Sequence, residues 1–162
     1  MSSSTATDLD PLALERQVCF ALAVANRAVL AVYRPLLEPL GLTHPQYLVM
    51  LTLWDHRKTS TADAPLSVKQ IASALQLDSA TLSPMLKRLE TIGLITRTRS
   101  TLDERSMNVE LTDAGVALRE RALAIPSAVV ARLGGDLDEL ENLHRALTRI
   151  NSAAQAAGAL DL

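Results

Sequence analysis

Residues 67–99 read SVKQIASALQLDSATLSPMLKRLETIGLITRTR, and residues 107–111 follow as MNVEL. Ser67 with Gln70 three positions later has the form of a capping box, in which the two side chains satisfy free N–H groups at a helix start. A short helix is therefore expected as far as Leu75. Gln76-Leu77 leaves room only for a tight connection. Asp78 is suited to cap a second helix, Ser79 to Ile92, which Gly93 closes in the left-handed conformation. Leu94 to Ser100 is strand-like, Thr101 to Glu104 is polar turn material, and Met107 to Leu111 alternates as a returning strand. Two short helices joined by a tight turn and followed by a hairpin make a winged helix-turn-helix. In that unit the second helix enters the major groove and the hairpin tip reaches a neighbouring groove.

Outward from this core the pattern is helical. Upstream, Leu12 to Glu38 carries a stripe at three- and four-residue spacing, Cys19, Ala23, Asn26, Leu30, Tyr33 and Leu37. Pro35 is expected to kink or end that helix near Arg34. Pro39 and Gly41 close it, and a second helix is expected from Pro45 through Trp54. Arg57 to Pro65 is polar and reads as a loop. Downstream, Thr112 caps a helix reaching about Leu133 that Pro126 kinks or splits. Gly134-Gly135 breaks the chain, and Asp136 with Glu139 is expected to cap a last helix to about Ala157. The fold class is thus mainly α with a small β-hairpin wing. Its segments are a flexible tail at 1–10, an N-terminal dimerisation and sensor helix at 11–44, the winged helix-turn-helix region at 45–112, and C-terminal dimerisation helices at 113–162. The long flanking helices have no evident role in the minimal unit except to dimerise, and a dimer reads two half-sites of a palindromic duplex.

Composition agrees. In 162 residues, 48% are hydrophobic but only 2% aromatic, so the core is built from Leu, Ala, Val and Ile, a helix-favouring mixture. The single cysteine excludes a disulfide scaffold. The apolar run Val18 to Tyr33 contains Asn26 and Arg27 and falls short of a bilayer span. Met1 to Asp10 is polar, unlike a secretory signal. The expectation is a cytoplasmic protein with no membrane partner. His44, His56 and His144 lack metal-ligand spacing, and phosphate loops and nucleophile elbows are absent, so neither a metal, a cofactor nor an enzymatic activity is expected.

The net charge of -2 argues against polyanion binding by the whole surface. Between Lys87 and Arg105, however, Lys87, Arg88, Arg97, Arg99 and Arg105 outnumber Glu90, Asp103 and Glu104. Charge alone does not separate a DNA site from a solvated surface; the helix-turn-helix context does. Asp78, Ser79, Thr81, Ser83, Lys87 and Arg88 occupy the start and one side of the second helix, where hydroxyls and free N–H groups suit phosphates and base edges. Pro84 offers an apolar face to a thymine methyl, and Lys87 and Arg88 are suited to phosphate or guanine. Arg97 on the first wing strand is expected to contact phosphate. Arg105 at the wing tip suits a narrow minor groove, with Asp103 holding its guanidinium.

The run Leu77 to Glu90, with Gly93-Leu-Ile-Thr-Arg97 and Asp103-Glu-Arg105, resembles the MarR family of bacterial transcription regulators. Gln17-Val-Cys-Phe-Ala-Leu22, Tyr33-Arg-Pro-Leu-Leu37 and Gly41-Leu-Thr-His-Pro-Gln-Tyr-Leu48 resemble its OhrR branch, repressors that sense organic hydroperoxide through one cysteine. The resemblance covers about residues 15 to 150. It implies a homodimer that leaves its operator when Cys19 is oxidised to a sulfenic acid. It also implies that tyrosines of one subunit bond the thiol of the other. If Tyr33 helps the thiolate, it must come from the second subunit, because it lies fourteen residues beyond Cys19, about 21 Å along one straight helix. The branch commonly has a tyrosine where this chain has His44, and often another where it has Ala23. His44 is thus a candidate thiol partner, expected to act most strongly as imidazolium. With no second cysteine, the oxidised thiol is left with a mixed disulfide to a low-molecular-weight thiol, a cyclic sulfenamide, or overoxidation. The rival reading within the family is a repressor released by a non-covalent lipophilic or phenolic ligand, with Cys19 structural. Outside it stand a thiol peroxidase, which would lack a resolving cysteine, and a protein-interaction module that uses the same shape without DNA.

Overall fold

The computed structural model describes residues 10–60 and 64–159. The expected tail at 1–10 lies, apart from Asp10, outside the described residues, as do positions 61–63 of the expected loop. After a short 3-10 turn at Leu14–Arg16 come helices α1 (Val18–Leu37) and α2 (His44–Thr59). Strand β1 (Leu66–Ser67), helices α3 (Val68–Leu75) and α4 (Ser79–Thr91), and strands β2 (Ile95–Arg99) and β3 (Met107–Leu111) form the winged unit. Helices α5 (Asp113–Ala122), α6 (Ile125–Leu133) and α7 (Leu137–Ala156) complete the chain.

Pro35 does not end α1. The helix continues to Leu37, which is buried, and then tightens into a 3-10 turn at Glu38–Leu40. Gly41 stops it with φ of 71°. A proline this near a helix end forfeits one main-chain bond, and the buried Leu37 offsets that loss. Because the helical run does not stop at Arg34, Val18–Leu40 is 23 residues long, apolar and long enough to span a bilayer by length and composition. The expectation of a shorter run is corrected. Val18, Phe20 and Val24 of α1 are exposed.

Helix α2 begins one residue before Pro45 because Thr43 and Gln46 form a reciprocal capping box, with N–H donations at 3.4 and 3.0 Å. It runs to Thr59, so the first part of the expected loop is helical. His56, Arg57 and Lys58 occupy its last turn, where cations favour the exposed carbonyls. The His56 imidazole reaches the Ala64 carbonyl at 2.7 Å and spans the connection.

The helix-turn-helix forms as the sequence predicts. Ser67 and Gln70 cap α3, Gln76 turns the chain in the left-handed conformation at φ 53°, and Asp78 caps α4 through the Thr81 N–H at 2.6 Å. Ile71 of α3 and Leu82, Leu86 and Leu89 of α4 are fully buried, as are Val49 and Met50 of α2. Burying such side chains stabilises the unit by about 1.5–3 kcal/mol each. The wing has three strands, in the order β1-β3-β2, all antiparallel. Strand β1 is only two residues long and overlaps the capping box, which is why alternation did not show it.

Thr112 caps α5 through the Gly115 N–H, and its hydroxyl donates to the Gly93 carbonyl at 2.6 Å. The chain divides between α5 and α6 just before Pro126, as expected. Asp136 stands at the N-cap of α7 but makes no side-chain capping bond, contrary to expectation. One buried cluster, from Leu37 and Leu42 through to Val129, draws on the segments before, within and after the winged unit. Helix α7 contributes no buried residue and leaves Leu137, Leu143 and Ile150 exposed.

Candidate nucleic-acid interface and thiol site

The core face of α4 is Leu82, Leu86 and Leu89, so its opposite side must face outward. Asp78, Ser79, Thr81, Ser83, Pro84, Lys87 and Arg88 are all exposed there. They divide into two sets. Asp78 and Thr81 serve the cap: beyond the N–H bond, the Thr81 hydroxyl donates to the second Asp78 oxygen at 3.0 Å. The Thr81 main-chain bond, then its hydroxyl, hold the Asp78 carboxyl below the usual carboxylate range. The Ser83 hydroxyl donates to the Ser79 carbonyl at 2.8 Å, a bond within the helix. Lys87 and Arg88 form no ion pair among the described residues, so both cations are presented to solvent with Pro84 beside them in sequence.

The wing tip differs in detail from expectation. Asp103 accepts from the Arg105 main-chain N–H at 3.0 Å, and the Ser106 N–H donates to the Asp103 carbonyl at 2.9 Å. Asp103 therefore shapes the turn and does not hold the Arg105 guanidinium, which is exposed and has no ion-pair partner among the described residues. A short acidic side chain two residues back reaches an N–H more easily than a long mobile guanidinium. Ser100 adds to the turn by accepting from the Leu102 and Asp103 N–H groups at 3.2 and 3.3 Å. Leu102, not singled out in the sequence, is 97% exposed at the tip.

Arg97 points elsewhere. Its guanidinium donates to Glu90 of α4 at 3.0 Å, and its main-chain N–H donates to the other Glu90 oxygen at 3.1 Å. The guanidinium bond is the main reason the Glu90 carboxyl lies below its ordinary range. Glu90 was not a sequence candidate; its only signal was a place seven residues before Arg97 across a glycine stop.

The thiol site is divided along α1. Cys19 is exposed in the first turn. Near the far end, Tyr33 packs edge-on against His44 with ring centroids 4.7 Å apart and an interplanar angle of 64°. Tyr47 stands 6.0 Å from Tyr33 and 6.4 Å from His44, a third ring that the sequence did not single out. Burial pushes the Tyr33 phenol up and the His44 imidazole down. Burial and then the Tyr33 charge push Tyr47 up. Burial thus favours the neutral imidazole at His44. A neutral imidazole still donates one N–H and accepts at its other nitrogen. Tyr33 and His44 meet, and Cys19 lies about 21 Å from them along the axis of its own helix.

The model of the family described as transcriptional regulator SarA/Rot matches residues 31–121. The chain is 44% identical over 136 residues to the organic hydroperoxide resistance transcriptional regulator of Bacillus subtilis, covering 82% of this chain and 88% of that one. It is 44% identical to the transcriptional regulator TtmR of Methylorubrum extorquens, over 87% of this chain and 70% of that one. Among solved structures, reduced AbfR bound to DNA superposes with a TM-score of 0.73 at 31% identity, covering 89% and 94% of the two chains; AbfR is a protein of Staphylococcus epidermidis. With the winged unit intact, a lone thiol on α1 and these relatives, the chain belongs to the MarR-type winged-helix transcription regulators, in the branch of the organic hydroperoxide regulators.

Proposed function

We propose that this chain is a peroxide-responsive, DNA-binding transcriptional repressor of the cytoplasm, in which oxidation of Cys19 by organic hydroperoxide releases a palindromic operator. The observation that carries this reading is the exposed, lone Cys19 at one end of α1, with the Tyr33–His44 ring pair at the other. It is supported by the exposed apolar residues of α1 and α7, which suit burial in a homodimer. Two α1 helices crossing in such a dimer bring Tyr33 and His44 of each subunit towards the partner's thiol. Hydrogen bonds from a phenol and a neutral imidazole favour the thiolate over the thiol.

The thiolate attacks one peroxide oxygen, the O–O bond breaks, and an alcohol leaves after protonation while Cys19 becomes a sulfenic acid. A low-molecular-weight thiol then condenses with it, expelling water and forming a mixed disulfide. Either product replaces a hydrogen-bonded thiolate with a bulkier neutral group. The dimer contact must adjust, and with it the spacing of the two α4 helices on their half-sites. In the reduced state α4 presents Ser79, Ser83, Pro84, Lys87 and Arg88 to the major groove, and Arg105 reaches the minor groove from the wing tip.

The test follows the mass of Cys19 after treatment with an organic hydroperoxide and a low-molecular-weight thiol, alongside binding to a duplex selected by the reduced protein. Sulfenic acid or mixed-disulfide mass should rise as DNA is released. A Cys19→Ser variant that leaves DNA on peroxide treatment as readily as the parent removes the thiol from the mechanism.

A further inference from the structure

Strand β2 is an edge strand of the wing, since the sheet order is β1-β3-β2. The Ser100 N–H bonds the Ser106 carbonyl at 2.8 Å, and the Thr112 N–H bonds the Leu94 carbonyl at 3.1 Å. With Arg97 opposite Val109, these bonds put the even-numbered residues of β2 in the paired positions and turn the Arg97 N–H off the open edge. Glu90, in the last turn of α4, covers that position. One carboxylate oxygen takes the edge N–H and the other takes the guanidinium of the same residue. Arg97 Nε is buried with no hydrogen-bond partner among the described residues, and the Arg97 side chain is 25% exposed against 39% for Glu90. A partly exposed ion pair stabilises a fold little. What this one supplies is geometry, because it ties the end of the groove-facing helix to the strand that leads to the wing tip.

We infer that Glu90 and Arg97 are positioning residues, a strut that holds the wing at one angle to α4 so that Arg105 and the α4 cations meet the duplex together, and that Arg97 is not a phosphate ligand. The proposal rests on the DNA-binding reading above. It makes an acidic residue beside a polyanion necessary for binding, which simple charge complementarity does not.

The experiment compares the full-length reduced protein with Glu90→Ala, Arg97→Gln and the double variant. The probes are a duplex selected from a random pool by the parent and an unrelated duplex of equal length. Each single variant should lose about ten-fold in affinity for the selected duplex and little for the unrelated one. The double variant should be no worse than either single, because both remove the same strut. Should Glu90→Ala fail to fold, Glu90→Gln keeps the shape but has one acceptor oxygen for the two Arg97 donors, so it loses one of the two bonds and should show a loss in the same direction. In the free protein, the Arg97 amide should exchange with solvent faster in Glu90→Ala, by about ten-fold or more. A phosphate-binding Arg97 gives the opposite pattern. Glu90→Ala then binds more tightly, and Arg97→Gln lowers the slope of log affinity against log salt by about 0.9 for each phosphate it no longer neutralises; that result overturns the strut. Unchanged amide exchange also overturns it. If the parent selects no duplex at all, the DNA-binding reading fails, and amide exchange alone still decides whether Glu90 holds the wing.

Discussion

The Trp54 indole N–H donates to the main-chain carbonyl of Gly115 across 2.9 Å. The bond joins α2, which starts at His44, to the first turn of α5, which follows directly from the wing. Gly115 is there for a second reason as well. A Cβ at this position would sit 2.1 Å from the Leu94 carbonyl oxygen, so only glycine lets α5 lie against the chain entering β2. The ring cluster and the wing are therefore linked through one helix and one close main-chain approach.

Two substitutions should separate these contributions. Trp54→Phe keeps most of the apolar ring and leaves the Gly115 carbonyl without its indole partner, at a cost of about 1–2 kcal/mol. Gly115→Ala forces β2 and α5 apart and should cost about 3 kcal/mol, the upper end for overpacking. Denaturant unfolding of the two variants checks both values. A Gly115→Ala protein as stable as the parent would mean that the approach to Leu94 relaxes freely.

The pH dependence of stability follows from His44. Burial places its folded-state value below the ordinary 6.5, so the unfolded chain takes up the proton first as pH falls. Stability from this group is fully present above 6.5 and is lost progressively below it, through the lower folded-state value. Unfolding of the parent and of His44→Tyr, measured from pH 7.5 to 5, should diverge, with the parent losing more on acidification. Parallel curves would show that the imidazole titrates alike in both states.

Much of this was legible in the sequence, because its signals are local. The Ser67–Gln70 box, the Asp78 and Thr112 caps and the Gly93 stop each act within one turn, and each stands where the spacing puts it. What was not legible depends on contacts across the chain. Pro35 reads as a breaker until burial of Leu37 is known. Arg97 reads as a free cation until Glu90 is found beside it. Asp136 has the residue type of a cap, but nothing in its type fixes the side-chain rotamer. The meeting of Tyr33 with His44 needs the α1–α2 turn to fold back, which residues eleven apart do not announce.

At the wing tip, Arg105→Ala should weaken binding to the selected duplex by about 1–3 kcal/mol and relax base preference near its outer ends. Asp103→Ala tests the turn separately. Losing the bond to the Arg105 N–H loosens the tip while leaving every cation in place, so affinity should fall less than in Arg105→Ala. Selection of bound sequences from a randomised duplex measures both. Equal base preference in parent and Arg105→Ala would place this side chain away from the bases.

The thiol mechanism has its own variants. Tyr33→Phe removes one hydroxyl far from the wing, so Cys19 oxidation should slow while reduced-state DNA affinity stays nearly unchanged. His44→Ala removes an N–H donor and should raise the pH at which Cys19 becomes reactive, because the thiolate loses a hydrogen bond that favours it. His44→Tyr supplies a phenol in its place and should keep much of the reactivity. As burial lowers the His44 value, the parent and His44→Tyr should differ mainly below pH 6.5, where any imidazolium that forms draws the thiolate more strongly. Rates of Cys19 oxidation by an organic hydroperoxide, taken from pH 5 to 9 in all three variants, distinguish these outcomes. Profiles identical to the parent would leave neither Tyr33 nor His44 in contact with the reacting thiol. The reactivity would then have to come from the start of α1, where the free N–H groups of the first turn and the exposed Arg16 supply positive potential near Cys19.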